Sequence, residues 1–142
     1  MKFLLDTDHI SILQKQSGPE FANLISRIAS VSHADLTFCI VSFHEQVLGC
    51  NAYIAKARNA SEIVRGYEML DRVLTAFATA LVLQFDSGAV ALFDGLVARR
   101  LRIATMDLRI AAIALNHGLT VLTRNTRDFG KVPGLNTEDW TL

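Results

Sequence analysis

Several separate stretches of this chain carry oxygen-bearing side chains suited to handling phosphate. Asp6 and Asp8 follow an apolar run near the amino terminus, Ser42, His44 and Glu45 follow a second run, Asp107 opens a helical pattern, and Asn125 and Asp128 follow another apolar run. Carboxylates brought together repel one another unless they are protonated or share a cation, and hard oxygen donors favour Mg²⁺ or Mn²⁺ over zinc. A cation held in this way serves phosphoryl chemistry: it activates water, holds the scissile phosphate and stabilises the leaving oxygen. Other common chemistries lack their residues here. The chain has no Gly-rich dinucleotide fingerprint, P-loop, Gly-x-Ser-x-Gly elbow, His-Glu-x-x-His pair or Cys/His ligand set. Each acid alone has an ordinary explanation, Asp107 and Glu45 as first-turn helix charges and Asp6 as a turn residue. Together they fit that explanation less well, because Asp6 ends a buried strand and Asp107 precedes Ile110, Ala111 and Ala112, which let a helix lie close on a sheet.

The elements that must position these groups follow from periodicity. Residues 3–5 form a short apolar strand ending in Asp6-Thr7-Asp8, and a helix follows over 9–16. Pro19 opens a second helix with Phe21, Leu24, Ile25 and Ile28 on one face. Leu36–Val41 is a β-branched and aromatic run that predicts a second strand ending at Ser42, with a helix beyond. Ile63, Tyr67, Leu70, Leu74 and Phe77 mark a long helix starting near caps at 59–61. Strands are predicted over 81–85 and 119–123, with a helix capped by Asp86 and Ser87 and another over 106–117 closed by Gly118. Residues 130–142 are expected to be a tail in which Trp140 covers an apolar edge. Short, continuously apolar strands alternating with helices predict an α/β fold of three layers, helices on both faces of a parallel sheet. In such sheets the working groups gather beyond the carboxyl ends of the strands, which is where these acids fall.

The chain is 142 residues long, 51% hydrophobic and 20% charged, which fits one domain spanning residues 1–142 with its own core. No apolar run reaches about 18 residues, so a membrane span is not expected and a cytoplasmic setting is. Cys39 and Cys50 match no metal or redox spacing and are expected to be buried thiols.

The acidic stretches resemble those of a known family. Phe3-Leu4-Leu5-Asp6-Thr7-Asp8 is similar to the opening of PIN-domain ribonucleases, Val41-Ser42 with Glu45 to their second motif, and Asp107-Leu108-Arg109-Ile110-Ala111-Ala112 to their third. Leu122–Phe129, with Val132-Pro133-Gly134-Leu135 and Glu138-Asp139-Trp140, resembles the end of VapC-type toxins of bacterial toxin–antitoxin pairs, and most of all the branch that cleaves initiator tRNA in its anticodon loop. The resemblance implies a three-layer PIN-like domain with a mostly parallel sheet of four or five strands. It also implies a Mg²⁺-dependent endoribonuclease that leaves 5′-phosphate and 3′-hydroxyl ends, is neutralised by a VapB antitoxin and forms a homodimer. Carried over by position, Asp6 and Asp107 are the metal ligands and Glu45 the third acid, while Asn125 stands where many relatives place a fourth, with Asp128 one helical turn on. Asp128 is taken with them as catalytic, and Thr7, Ser42, Thr123 and Asn125 as accessory groups, the two threonines bracing the acids. His9 and His44 are expected to have packing or polar roles only.

Overall neutrality, 14 basic against 14 acidic residues, hides a segregation. Residues 99–142 carry seven basic and four acidic groups, and Arg99, Arg100, Arg102, Arg109, Arg124, Arg127 and Lys131 flank Asp107 and Asp128, a candidate RNA-binding rim. Two rivals remain open at the level of residues. A haloacid-dehalogenase-like phosphatase shares an Asp-x-Asp after a strand, but Ile10 stands where it needs Thr or Val, and only Lys131 lies late in the chain. A PIN-like scaffold that binds RNA or protein without catalysis is kept open by Asn125.

Overall fold

In the computed structural model, which describes residues 1–142, the apolar amino-terminal run forms β1 (Phe3–Leu5) at the centre of a five-stranded sheet. The chain continues through α1 (Thr7–Lys15), α2 (Pro19–Ile28), a 3-10 turn (His33–Asp35), β2 (Leu36–Cys39), α3 (Ile40–Ala55) and α4 (Ala60–Ala78). It then forms β3 (Val82–Leu83), α5 (Ser87–Ala98), α6 (Thr105–His117), β4 (Thr120–Leu122), α7 (Thr126–Phe129) and β5 (Thr137–Glu138). The strand order is β3-β2-β1-β4-β5 and every pairing is parallel. The class is therefore α/β, and the sheet is wholly rather than mostly parallel.

Side chains alternate across each strand and divide the interior into two packed layers. Leu4, Cys39, Leu83 and Val121 pack with α5 and α6, while Leu5 and Leu122 pack with Ile10, Leu24, Cys50, Val73 and Phe77 from α1–α4. Both cysteines are free and buried. Ile110 and Ile113 of α6 are wholly buried, each stabilising by about 2 kcal/mol, and with Ala111, Ala112 and Ala114 they hold that helix hard against the core. Gly118 ends α6 at φ 66°, a left-handed conformation that glycine adopts without a Cβ clash, so β4 can begin two residues later.

Several boundaries differ from the sequence expectation. The second strand stops at Cys39 rather than Val41: β3 ends at Leu83, opposite Cys39, so the outer ladder offers no partner beyond it. Ser42 therefore lies in the first turn of α3. The first helix begins at Thr7, two residues early, because Asp6 caps it. The third strand has two residues instead of five, and the carboxyl-terminal segment includes β5, which pairs Val121 with Thr137 and Leu122 with Glu138. Trp140 does cover an apolar edge, its ring 4.8 Å from that of Phe3 and beneath the Arg27 guanidinium. No helix is long and apolar enough to cross a membrane.

Candidate active site

The chain runs from β1 outward to β3, then crosses back to β4 on the other side of β1. The strand order thus reverses between β1 and β4, and the crevice at their carboxyl ends is where an open parallel sheet receives a ligand. Asp6, the single residue between β1 and α1, stands at that point. Its backbone N–H donates to Leu122 O at 2.9 Å, Oδ1 accepts from the Thr7 N–H at 2.8 Å, and Oδ2 accepts from the Thr123 hydroxyl at 2.7 Å. The residue is only 5% exposed.

Glu45 enters from α3, where Oε1 accepts from the Thr7 hydroxyl at 2.7 Å. Having given its one proton to Glu45, Thr7 accepts from the buried Ser42 hydroxyl, 3.1 Å away. Asp107 enters from the first turn of α6, a helix that runs back toward β4 and so starts at the carboxyl edge of the sheet. Oxygens of Asp6, Glu45 and Asp107 all lie within 4.8 Å of one another. None of the three forms an ion pair with a basic side chain.

Electrostatics follow from that crowding. Burial, then the neighbouring Asp8 carboxylate, push the Asp6 carboxyl up to about 7, against the opposing hydrogen bonds from Thr123 and Thr7, with Asp107 adding to the rise. Burial, then Glu45, Asp128 and Asp8, raise Asp107 to about 6. A cluster of this kind lacks compensating positive charge, and a divalent cation with oxygen preference would supply it. The donor set contains no nitrogen or sulfur, so it fits a hard cation better than zinc.

The remaining expected site residues fall into different surroundings. Asn125 donates its backbone N–H to Thr123 Oγ1 at 2.9 Å and its side-chain amide to Asp128 Oδ2 at 3.2 Å. Asp128 lies outside the three-carboxylate cluster, and hydrogen bonds from Lys131, 3.1 Å away, and Asn125 hold its carboxyl below the usual range. Lys131 also donates to Arg102 O at 3.2 Å, so it is tied to Asp128 and to the loop before α6. Arg99, Arg100, Arg102, Arg124 and Arg127 are exposed, whereas Arg109 departs from that rim, with its guanidinium 5.5 Å over the Phe93 ring.

One arrangement escaped sequence reasoning. Asp8 accepts the Arg124 N–H at 2.9 Å and contacts the fully buried His9 at Nδ1, 2.7 Å away, while His9 Nε2 accepts the Trp140 N–H at 3.2 Å. His9 is therefore the Nδ1–H tautomer, a bridge from α1 to the carboxyl-terminal segment. The only hint in the sequence is His9 beside Ile10, at helical spacing that turns both toward the core.

No family model matches the sequence. Over 145 aligned residues, covering 99% of this chain and 99% of the relative, the sequence is 28% identical to the tRNA(fMet)-specific endonuclease VapC of Shigella flexneri. It is 27% identical to the protein of the same name from Salmonella typhimurium, over 99% of this chain and 98% of that one. Over nearly its whole length this chain is therefore similar to VapC-type endonucleases. Solved structures share the fold. A chain of VapBC-1 from nontypeable Haemophilus influenzae superposes with a TM-score of 0.77 at 20% identity, covering 100% of both chains. A chain of FitAcB from Neisseria gonorrhoeae superposes with a TM-score of 0.70 at 27% identity over 97% of each. On this shared fold Asp6, Glu45 and Asp107 occupy the sheet edge at the strand-order reversal.

Proposed function

We propose that this chain is a VapC-type toxin, a Mg²⁺-dependent endoribonuclease that hydrolyses a tRNA phosphodiester and is neutralised by a VapB-type antitoxin. The observation that carries the reading is the convergence of Asp6, Glu45 and Asp107 oxygens within 4.8 Å, without a basic partner, at the carboxyl edge of the sheet. The names of the full-length relatives supply the substrate class, and VapBC complexes among the structural neighbours supply the partner. A homodimer belongs to the same reading, supported by apolar side chains exposed on α4 and α5, among them Val64, Leu74 and Val97.

Asp6 and Asp107 would hold the cation, with Mn²⁺ an alternative to Mg²⁺; when bound, it supplies the positive charge that polarises water and a phosphodiester. Thr123 and Thr7 fix the Asp6 carboxylate through its two oxygens, and Thr7 fixes Glu45 as well. Glu45, more accessible than Asp6, is set to orient the attacking water through its carboxylate. Asp128, restrained by Lys131 and Asn125, shapes the entrance, and the exposed arginines of the rim meet the RNA backbone.

Cleavage of tRNA by the purified protein with and without Mg²⁺, compared with Asp6→Asn and Asp107→Asn, tests this reading. Loss of cleavage in both variants with their folds intact is expected; unchanged cleavage in either removes the assignment.

A further inference from the structure

An open groove of about 550 Å³ starts at Thr7 and Glu45, two residues of the site, and runs between α1, α3 and α4. Its volume lies within the range of small-ligand sites. Gln14 and Gln46 line it and bind each other reciprocally across the α1–α3 boundary, at 2.9 and 2.8 Å. Gln46 gives its second N–H to Ser11 Oγ at 3.1 Å, so Gln14 keeps one free N–H and each amide oxygen one free lone pair. Past the amide pair stand Lys15 and Arg72, which form no ion pair and also border the adjoining hollow between α1 and α4.

We infer that this groove takes the RNA strand on one side of the cut, with the Gln14–Gln46 pair against one nucleotide and Lys15 and Arg72 receiving a backbone phosphate beyond it. The proposal rests on the endoribonuclease reading and adds a direction and a recognition element to it. Two features favour a nucleic-acid strand over an apolar peptide: the groove is continuous with the carboxylate site, and beyond that site the charged side chains lining it are Lys15 and Arg72. A planar amide pair with spare donor and acceptor positions suits the edge of an unstacked base, the usual target of sequence-selective RNA recognition. Thr7, Ser11, Gln14 and Lys15 share one face of α1 at helical spacing, so a single helix carries the strand from the site to the phosphate position.

The test uses full-length protein and fluorescently labelled single-stranded RNA corresponding to a tRNA anticodon loop. In an Asp6→Asn background that binds without cutting, Lys15→Ala with Arg72→Ala is expected to weaken binding about tenfold and to flatten the slope of log affinity against log salt by about 0.7, the worth of the one phosphate they share. With Asp6 restored, the same pair should raise KM with kcat little changed. Gln14→Ala should alter the preference among RNAs differing at one base beside the cut. Arg65→Ala, an exposed cation on α4 outside the groove, controls for general charge, and circular dichroism confirms folding. Cleavage with unchanged affinity in the double variant overturns the groove while leaving the nuclease reading intact. RNA held through the groove but not cut by the wild type sustains the groove and removes the nuclease. Unchanged RNA binding with weakened binding of an antitoxin peptide reassigns the groove to the protein partner and overturns the proposal, as does failure of the wild type to bind RNA at all.

Discussion

The Thr123 hydroxyl donates to Asp6 Oδ2 at 2.7 Å while accepting the Asn125 N–H at 2.9 Å, joining the ends of β1 and β4 to the loop that leads into α7. Replacing this buried hydroxyl by a methyl group in Thr123→Val leaves a carboxyl oxygen and an amide unpaired. The expected cost is about 1–3 kcal/mol, read from the urea midpoint at constant slope. Because the lost bond favours the ionised carboxylate, the acid side of the pH–cleavage profile should move to higher pH. A variant matching the wild type in both measurements would show the hydroxyl to be idle.

Asp6 makes the metal-free protein less stable as pH rises. Its carboxyl titrates near 7 in the fold and near 3.8 when unfolded, so between those values the folded state holds the extra proton. Stability from this group is full below about pH 4 and is lost as pH climbs through 7. Denaturation in EDTA from pH 4 to 8 should show that decline, and Asp6→Asn should flatten it and be the more stable protein at pH 8, by a few kcal/mol at most. An unaltered slope in the variant would assign the decline to other groups.

Divalent-ion binding should release protons. Asp6 and Asp107 both titrate near or just below neutrality, so at pH 6 a cation must displace protons, and by pH 8 it need not. Calorimetry in buffers of different ionisation enthalpy should find proton release at pH 6 that fades by pH 8, with affinity rising over the same interval. Binding that ignores pH would place the ion elsewhere.

Asp128 should matter less than the three clustered acids. It is already restrained by Lys131 and Asn125 and lies outside the cluster. Asp128→Asn is expected to lower kcat/KM by less than about tenfold, against a loss of more than about a hundredfold for Asp6→Asn or Asp107→Asn. Equal losses at Asp128 and Asp107 would mean that the α7 turn moves inward in the working complex.

His9→Ala should loosen the carboxyl-terminal segment. The ring is wholly buried and its two nitrogens link Asp8 to the Trp140 backbone, so its removal leaves a cavity and two unpaired partners. A loss of about 2–4 kcal/mol is expected, with faster proteolysis in residues 130–142. Unchanged protection of that segment would indicate that β5 and Trp140 hold it without His9.

The sequence by itself determined the alternation of short apolar strands with helices, the parallel sheet, and the acids at strand ends, because hydrophobic periodicity and charge at a buried strand's end are local properties. It also placed Asp6 at the end of a strand and Asp107 at the start of a helix, positions that aim both at one edge of the sheet. What a fourth segment would contribute was not legible, since Asn125 and Asp128 stand three residues apart and only the α7 turn decides that they bond to each other and that Lys131 claims Asp128. The end of β2 was hidden for a similar reason: Ile40 and Val41 suit a strand intrinsically, and the shortness of β3, remote in sequence, takes away their partner. Arg109 reads as one more cation of the rim until α5 brings Phe93 beneath it. The two-residue β5, the His9 bridge and the Gln14–Gln46 pair likewise depend on contacts across 16, 131 and 32 positions, which leave no periodic trace in the chain. Local pattern decided which residues could do chemistry; long-range packing decided which of them meet.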